Sequence, residues 1–247
     1  MPAASLPTVL PKPSSPVKTG KKPFTATHFS VIMGFGGEGM AKLERNAYIG
    51  DTVEIARSLV GKYLVRRLHG ENLVCRIVET EAYVGAVDKA CHAFGYRKTA
   101  RNAVMFGPPG CAYIYLIYGM YYCLNFVTNP EGEPDAVLLR GLVPIHGMET
   151  MSSLRFGRPF HALTAYQRRN FLNGPGKCCK ALLLDISHNG TDLTGDELFI
   201  CTTPADAGLA DIPAPPCRIR AAKRVGIDYA EEARDFLWRF IQEETPC

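Results

Sequence analysis

The sequence predicts an α+β fold: a single domain on a curved antiparallel sheet of open-barrel or roll-like form, with surrounding helices and a protruding β-hairpin. Three observations predict it. Residues 62–83 and 112–127 each read as strand, short turn, strand, and connections that short join antiparallel neighbours. Stretches of helical period are grouped around these hairpins rather than alternating with single strands, which disfavours a parallel sheet. A chain of 247 residues with 47% hydrophobic content is large enough for one sizeable core.

The elements follow in order. Asp51-Thr52-Val53-Glu54 starts a helix, with a cap acceptor followed three residues later by a carboxylate. Val53, Ala56, Leu59 and Val60 recur at helical spacing, and Gly61 stops them. Lys62–Leu68 and Leu73–Tyr83 form the first hairpin around His69-Gly70-Glu71-Asn72. Lys89–Phe94 reads as a short helical turn. Ala112–Tyr118 and Tyr121–Val127 are rich in aromatic and β-branched residues and form the second hairpin around Gly119. Ala136–Val143 is another strand, followed by helical stretches at Ile145–Leu154, Ala165–Phe171 and Lys177–Leu184. Leu198–Thr202 and Arg218–Ala222 are short strands, and Ala230–Ile241 reads as a closing amphipathic helix. No internal repeat is visible.

Residues 1–40 differ from the rest: rich in Pro, Ser, Lys and Gly, they have no sustained period and read as a disordered basic tail. The folded domain is expected over 41–247, and a start at Met40 is the alternative reading of the tail. The tail's four lysines against Glu38 account for +3 of the net charge of +4, so overall charge does not argue for nucleic acid and local clusters must. No apolar run reaches the ~18–20 residues of a membrane span, and the N-terminus lacks the order of a secretory signal. No membrane association or export is expected. The nine cysteines form no C-x-x-C pair and read as reduced thiols rather than metal ligands.

Strand alternation puts Glu79, Glu81 and Tyr83 on one face, a carboxylate beside an aromatic wall. Such alternation more often marks a solvated sheet face. Tyr113 to Tyr122 hold five of the chain's eleven tyrosines. Tyr113 and Tyr115 share a face, while Tyr118 sits beside the turn glycine, where an exposed ring can wedge into a base stack; sheet packing is the equally ordinary use. His92 has no second histidine at ligand spacing. Arg97, Lys98, Arg101 and Asn102 form a short basic patch, and Arg155, Arg158, Arg168, Arg169, Lys177 and Lys180 a longer one, suited to phosphates or to plain solvation. Asn173-Gly174-Pro175-Gly176-Lys177 opens a helix without the spacing of a Walker loop.

Together these segments resemble the alkyladenine (3-methyladenine) DNA glycosylase family. The carriers are Asp51 to Arg66, R-I-V-E-T-E-A-Y ending at Tyr83, T-A-R-N at Thr99–Asn102, and Y-I-Y-L-I-Y-G-M-Y-Y-C-L-N ending at Asn125. V-L-L-R-G-L at Val137–Leu142, N-G-P-G-K at Asn173–Lys177 and R-V-G-I-D-Y-A from Arg224 complete them, in matching order across about residues 43–240. The departures are Ala100 and Leu237, where proline is common, and Cys178, where leucine is common.

The resemblance implies a base-excision-repair enzyme that flips alkylated or deaminated purines from double-stranded DNA and hydrolyses the N-glycosidic bond, acting as a monomer without metal or other cofactor, cytoplasmic and nucleoid-associated in a bacterium or nuclear in a eukaryote. It implies Glu81 as general base and Arg140 beside the attacking water, keeping Glu81 ionised. Tyr83, His92 and Tyr115 would sandwich the base, Asn125 would screen purines and Tyr118 would intercalate. Arg97, Arg101, Arg155 and Lys177 would contact the DNA backbone. Two other readings stay open. Glu79 and Glu81, about 6.5–7 Å apart by strand rise, fit the low edge of an inverting glycosidase pair. A noncatalytic nucleic-acid module would explain the tyrosines and basic patches but gives Glu81 no role.

Overall fold

The structure, a computed structural model, describes residues 41–210 and 217–244. The expectations for residues 1–40 lie outside the described residues. Helix α1 (Thr52–Leu59) is capped by Asp51, whose carboxylate accepts the Val53 and Glu54 amides. Its apolar side packs on the sheet that follows, where the Thr80 hydroxyl donates to the Ala56 carbonyl at 2.7 Å. Strands β1 (Tyr63–Leu68) and β2 (Glu71–Tyr83) form the first hairpin, turning on His69 and Gly70 with positive φ at both. Strands β3 (Ala112–Ile117) and β4 (Tyr121–Thr128) form the second, and β5 (Asp135–His146) returns antiparallel beside β4.

Helices α2 (Met148–Phe156), α3 (Ala165–Arg169) and α4 (Pro175–Ala181) follow, then β6 (Leu198–Cys201), β7 (Cys217–Ala222) and β8 (Arg239–Glu244). The sheet runs β3-β4-β5-β2-β1-β6, and β7 joins through β8. All its pairs are antiparallel and it curls as a half-barrel, the α+β architecture read from the sequence.

Strand β2 sets the frame. One edge pairs with β5 along most of its length. The other pairs with β1 over Glu71–Arg76 and then with β8 over Glu79–Glu81. The change of partner falls at a register shift between Ile77 and Glu79, where an extra residue re-aims the strand.

Alternation then sorts the faces. Ala82, Ala112, Ile114, Leu124, Phe126, Val137 and Leu139 face the main core with α1 and α4, while Glu81, Tyr83, Tyr113, Tyr115, Asn125, Leu138 and Arg140 face the other way. Two segments cover that second face, residues 84–111 and 223–236, each with its own small apolar cluster against Tyr83.

One element differs in kind from the sequence reading. Ala230–Ile241 is not a helix: it makes a single 3-10 turn at Glu231–Asp235 and then strand β8. The edge of β2 left open beyond β1 supplies hydrogen-bond partners that a helix there would leave unmet, and β7 supplies more on the other side. Phe236, Trp238 and Phe240 alternate at the period of a strand, a pattern shared with the helical one over so short a run. Smaller differences concern limits. Strand β5 continues through Ile145 and His146, so α2 begins only after Gly147, and Lys89–Phe94 forms irregular turns that lead into a 3-10 turn at Phe94–Tyr96.

Gly85 carries the chain off the end of β2 against Pro134, where a Cβ would lie 2.6 Å from both the ring and the carbonyl oxygen. Its amide donates to the buried Asp135 carboxylate at 2.7 Å. Gly85→Ala is therefore expected to lower stability by about 1–3 kcal/mol through overpacking. Thermal melting checks it, and an unchanged melting temperature would contradict the close approach.

Candidate active site

A single row of directly paired residues crosses four strands: Glu81 on β2, Leu138 on β5, Asn125 on β4 and Tyr113 on β3. Paired residues share a face. Leu138, Asn125 and Tyr113 of this row, with Tyr83, Tyr115, Cys123 and Arg140 beside them, form the floor of a cavity of about 310 Å³, roofed by Cys91, His92 and Met105 from one covering segment and by Val225, Ile227 and Tyr229 from the other. That volume is in the range of small-molecule sites.

Glu81 is not itself a wall of the cavity. It has no exposure and lies behind Tyr83, Arg140 and Val225, which are walls. One carboxylate oxygen accepts the Val225 amide at 2.9 Å; the other accepts the Tyr83 hydroxyl at 2.8 Å and Arg140 Nη1 at 3.4 Å. Arg140 also approaches Glu79 at 3.3 Å, and Arg239 holds Glu79 at 3.0 Å. Two carboxylates and two guanidiniums thus alternate beneath the floor. Burial raises the Glu81 carboxyl above its ordinary value of 4.5. Arg140, the Val225 amide and the Tyr83 hydroxyl pull it back without cancelling the rise, and Glu79 adds to it. The expected effect of Arg140 is present, but desolvation outweighs it.

The aromatic walls have fixed geometry. The His92 and Tyr115 rings meet edge to face at 4.5 Å, and Tyr113 and Tyr115 lie 5.4 Å apart. The Tyr113 hydroxyl is 2.9 Å from His92 Nδ1. Burial and the nearby Arg101 lower the His92 pKa to about 4, so its imidazole is neutral at neutral pH. Asn102 anchors the His92 segment, its amide donating to the carbonyls of His92 and Arg97 at 2.9 Å each. Its side-chain oxygen accepts the Thr99 amide at 2.7 Å, which pins the loop despite Ala100. Asn125 lines the cavity with one amide N–H committed to the Tyr113 carbonyl at 3.0 Å.

Tyr118 stands at the tip of the β3–β4 hairpin, 81% exposed, with φ of +52°. A left-handed tyrosine costs on the order of 1–3 kcal/mol unless its surroundings hold it there; Gly119 beside it, at φ of +67°, takes the same conformation freely. Leu116, Met120 and Tyr121 are exposed around it, so the tip is an apolar projection at the cavity mouth.

The structure therefore brings together Glu81, Arg140, Tyr83, His92, Tyr115, Asn125 and Tyr118. Arg101 joins them: it lines the cavity, lies 5.1 Å from the Tyr115 ring centre and donates to the Leu116 carbonyl at 3.0 Å. Arg97 is exposed on the loop outside the cavity. Half-buried Arg155 places Nη1 on the carbonyls of Asn170 and Phe171 and its guanidinium over the Phe156 ring. Lys177 reaches Asn173 at 2.7 Å near the start of α4, whose Pro175 touches the cavity. Sequence reasoning assigned nothing to Asp88, Arg224, Val225 or Tyr229. The R-V-G-I-D-Y-A stretch carried the signal for three of them, and Asp88 carried none.

The fold and cavity define a pocket walled by aromatic side chains with a buried carboxylate behind its wall. The sequence matches the methylpurine-DNA glycosylase family over residues 46–246, and the chain belongs to that family. It is 47% identical to a protein of Alkaliphilus oremlandii over 83% of this chain and 97% of the relative. It is 45% identical to one of Desulfitobacterium hafniense and 44% to one of Clostridium perfringens strain SM101, with the same coverage of both chains. Each of these relatives bears the name "Putative 3-methyladenine DNA glycosylase".

The raised Glu81 carboxyl has a consequence for stability. A pKa higher in the folded than in the unfolded chain stabilises the fold at low pH, and that contribution is lost as pH rises from about 4.5 through the folded value. Glu81→Gln does not titrate. Wild type is expected to lose stability relative to Glu81→Gln as pH increases over that window, read as the difference between their melting temperatures. A difference independent of pH would contradict the raised carboxyl.

Proposed function

We propose that this protein excises alkylated and deaminated purines, of the 3-methyladenine, 7-methylguanine, hypoxanthine and ethenoadenine class, from double-stranded DNA by water-mediated hydrolysis, acting as a monomer where the DNA is held. Its family makes it a DNA glycosylase of alkylated purines. The observation that carries the finer reading is the Glu81 carboxylate, held by three donors directly behind a cavity walled by Tyr83, His92 and Tyr115.

The glycosidic bond of a stacked nucleotide is out of reach, so the nucleotide leaves the helix at a cost of a few kcal/mol. Tyr118, already projecting at the cavity mouth, fills the space it vacates. Because His92 and Tyr115 touch edge to face, no base fits between those two rings. The base lies against that pair on one side and against Tyr83 on the other. A purine alkylated at N3 or N7 is cationic, and each aromatic face contributes roughly 0.5–2 kcal/mol toward a cation. The neutral His92 adds no repulsion. Asn125, fixed by Tyr113, screens the exocyclic groups of the entering base.

As the C1′–N bond breaks, its electron pair leaves with the base, which neutralises a cationic purine, and positive charge develops on the sugar. The ionised Glu81 stabilises that charge and accepts the proton of the attacking water, while Arg140 positions the water. A cationic purine leaves as the neutral base, and the water's proton passes from Glu81 to solvent; hypoxanthine or ethenoadenine leaves as an anion and takes up one proton, so that the products in each case are a free base and an abasic site. Arg97, Arg101, Arg155 and Lys177 are the cations assigned in this reading to the phosphate backbone.

Base release from methylated DNA and from duplexes with one hypoxanthine or one ethenoadenine tests this. Wild type is expected to release base and leave abasic sites, and Glu81→Gln to be about 10²–10⁴-fold slower, the range of a general base. Tyr118→Ala is expected to lose rate on duplex more than on single-stranded DNA. Undiminished release by Glu81→Gln would overturn the proposed chemistry.

A further inference from the structure

Arg224 and Asp88 have no part in the chemistry above, yet both side chains are completely buried and paired. Arg224 Nη2 donates to one Asp88 oxygen at 2.8 Å, and Nη1 donates to the other. Nη1 also donates to the Ala82 carbonyl at 2.8 Å, and Nη2 to the Ala233 carbonyl at 3.1 Å. The guanidinium lies over the Tyr83 ring at 4.7 Å and the Trp238 ring at 5.2 Å. One side chain therefore ties the end of β2, the loop that begins at Val84, the 3-10 turn before β8 and the approach to β8 itself.

These attachments converge on Glu81. Ala82, whose carbonyl is gripped, is its immediate neighbour. The amide that donates to Glu81 is that of Val225, in the peptide unit on the carboxyl side of Arg224. Holding the Arg224 side chain fixes that peptide unit. Tyr83, the other close donor, has one ring face against the Arg224 guanidinium, and Arg224 does not line the cavity, so this is the face turned away from it. Asp88 has a second duty: its carboxylate accepts the Ala90 amide at 2.9 Å, at the start of the turn that carries His92. The donor on Glu81, the Tyr83 wall and the His92 wall thus meet at one ion pair.

We propose that the buried Arg224–Asp88 pair is the positioning device of the reaction, holding the Val225 amide on the Glu81 carboxylate and backing the Tyr83 wall. This rests on the reading of Glu81 as the base. A guanidinium is required because four oxygen atoms and two ring faces must be met at once, and an ammonium is a point donor without the planar fork. The ionisable and charged groups around Glu81 are Arg140, Glu79, Tyr83, Cys123 and Arg224, with Arg239 reached through Glu79. Arg224→Lys leaves the other groups unaltered and keeps the charge, so its effect isolates the positioning.

The experiment uses the full chain, labelled with ¹⁵N, and methylated duplex DNA under single-turnover conditions across pH. In wild type the Val225 amide resonance should titrate with the midpoint of the acid limb of base release. In folded Arg224→Lys, release should slow at least tenfold, the acid limb should move to higher pH as the carboxylate loses its amide, and duplex binding should stay within about twofold. Asp88→Asn combined with Arg224→Gln, which removes both buried charges, should move the limb in the same direction and serves if the lysine variant does not fold. A merely structural role would lower the melting temperature and leave the limb in place. An unmoved limb in a folded variant, or a wild-type Val225 amide that does not titrate, would overturn the proposal. Base release that survives Glu81→Gln would sink the reading of the base instead, while the Val225 resonance would still decide the positioning.

Discussion

A carboxylate with no solvent exposure is the placement around which the rest of the cavity is arranged. Removing a charge from water is unfavourable unless donors replace the lost hydration. Glu81 has three, from β2 itself, from β5 and from the segment between β7 and β8. Each donor also belongs to a cavity wall, so the groups that make the buried charge tolerable are those that shape the pocket. The bulge in β2 and its change of partner from β1 to β8 bring these distant segments together at this point.

The site concentrates unfavourable terms that a purely structural protein would avoid. Glu79 and Glu81 sit side by side, held by Arg140 and Arg239. Arg224 and Asp88 form a second buried pair, and removing one partner of such a pair typically destabilises a protein by about 3–5 kcal/mol. Tyr118 adds a left-handed backbone at an exposed tip. These features lie at or directly behind one cavity and its rim, while the opposite face of the same strands is apolar apart from Thr80, whose hydroxyl bonds to α1. The main core lies between that face and the helices on it, and the charged and aromatic side chains of the cavity lie on the other.

Much of this was legible in the sequence, because strand alternation alone places Glu81 with Tyr83 and Tyr113 with Tyr115, and ordered motifs tie those strands to one family. Register was not legible. Nothing in the local pattern says that Glu81, Leu138, Asn125 and Tyr113 form one row, since this depends on pairings between distant segments. Strand β8 was misread for the same reason: over six residues its pattern suits either period, and the open edge of β2 decides. Asp88 went unassigned because its partner lies 136 residues away. Nor does charge in a basic cluster reveal that Arg155 donates to two backbone carbonyls.

The most direct test is a crystal structure of Glu81→Gln bound to a duplex carrying one hypoxanthine. The account predicts the hypoxanthine in the cavity, between Tyr83 and the His92–Tyr115 pair. Tyr118 would occupy the vacated stack, and a water would lie between residue 81, Arg140 and C1′. A lesion still stacked in the duplex, or a base lodged away from Tyr83 with C1′ out of reach of residue 81, would contradict it.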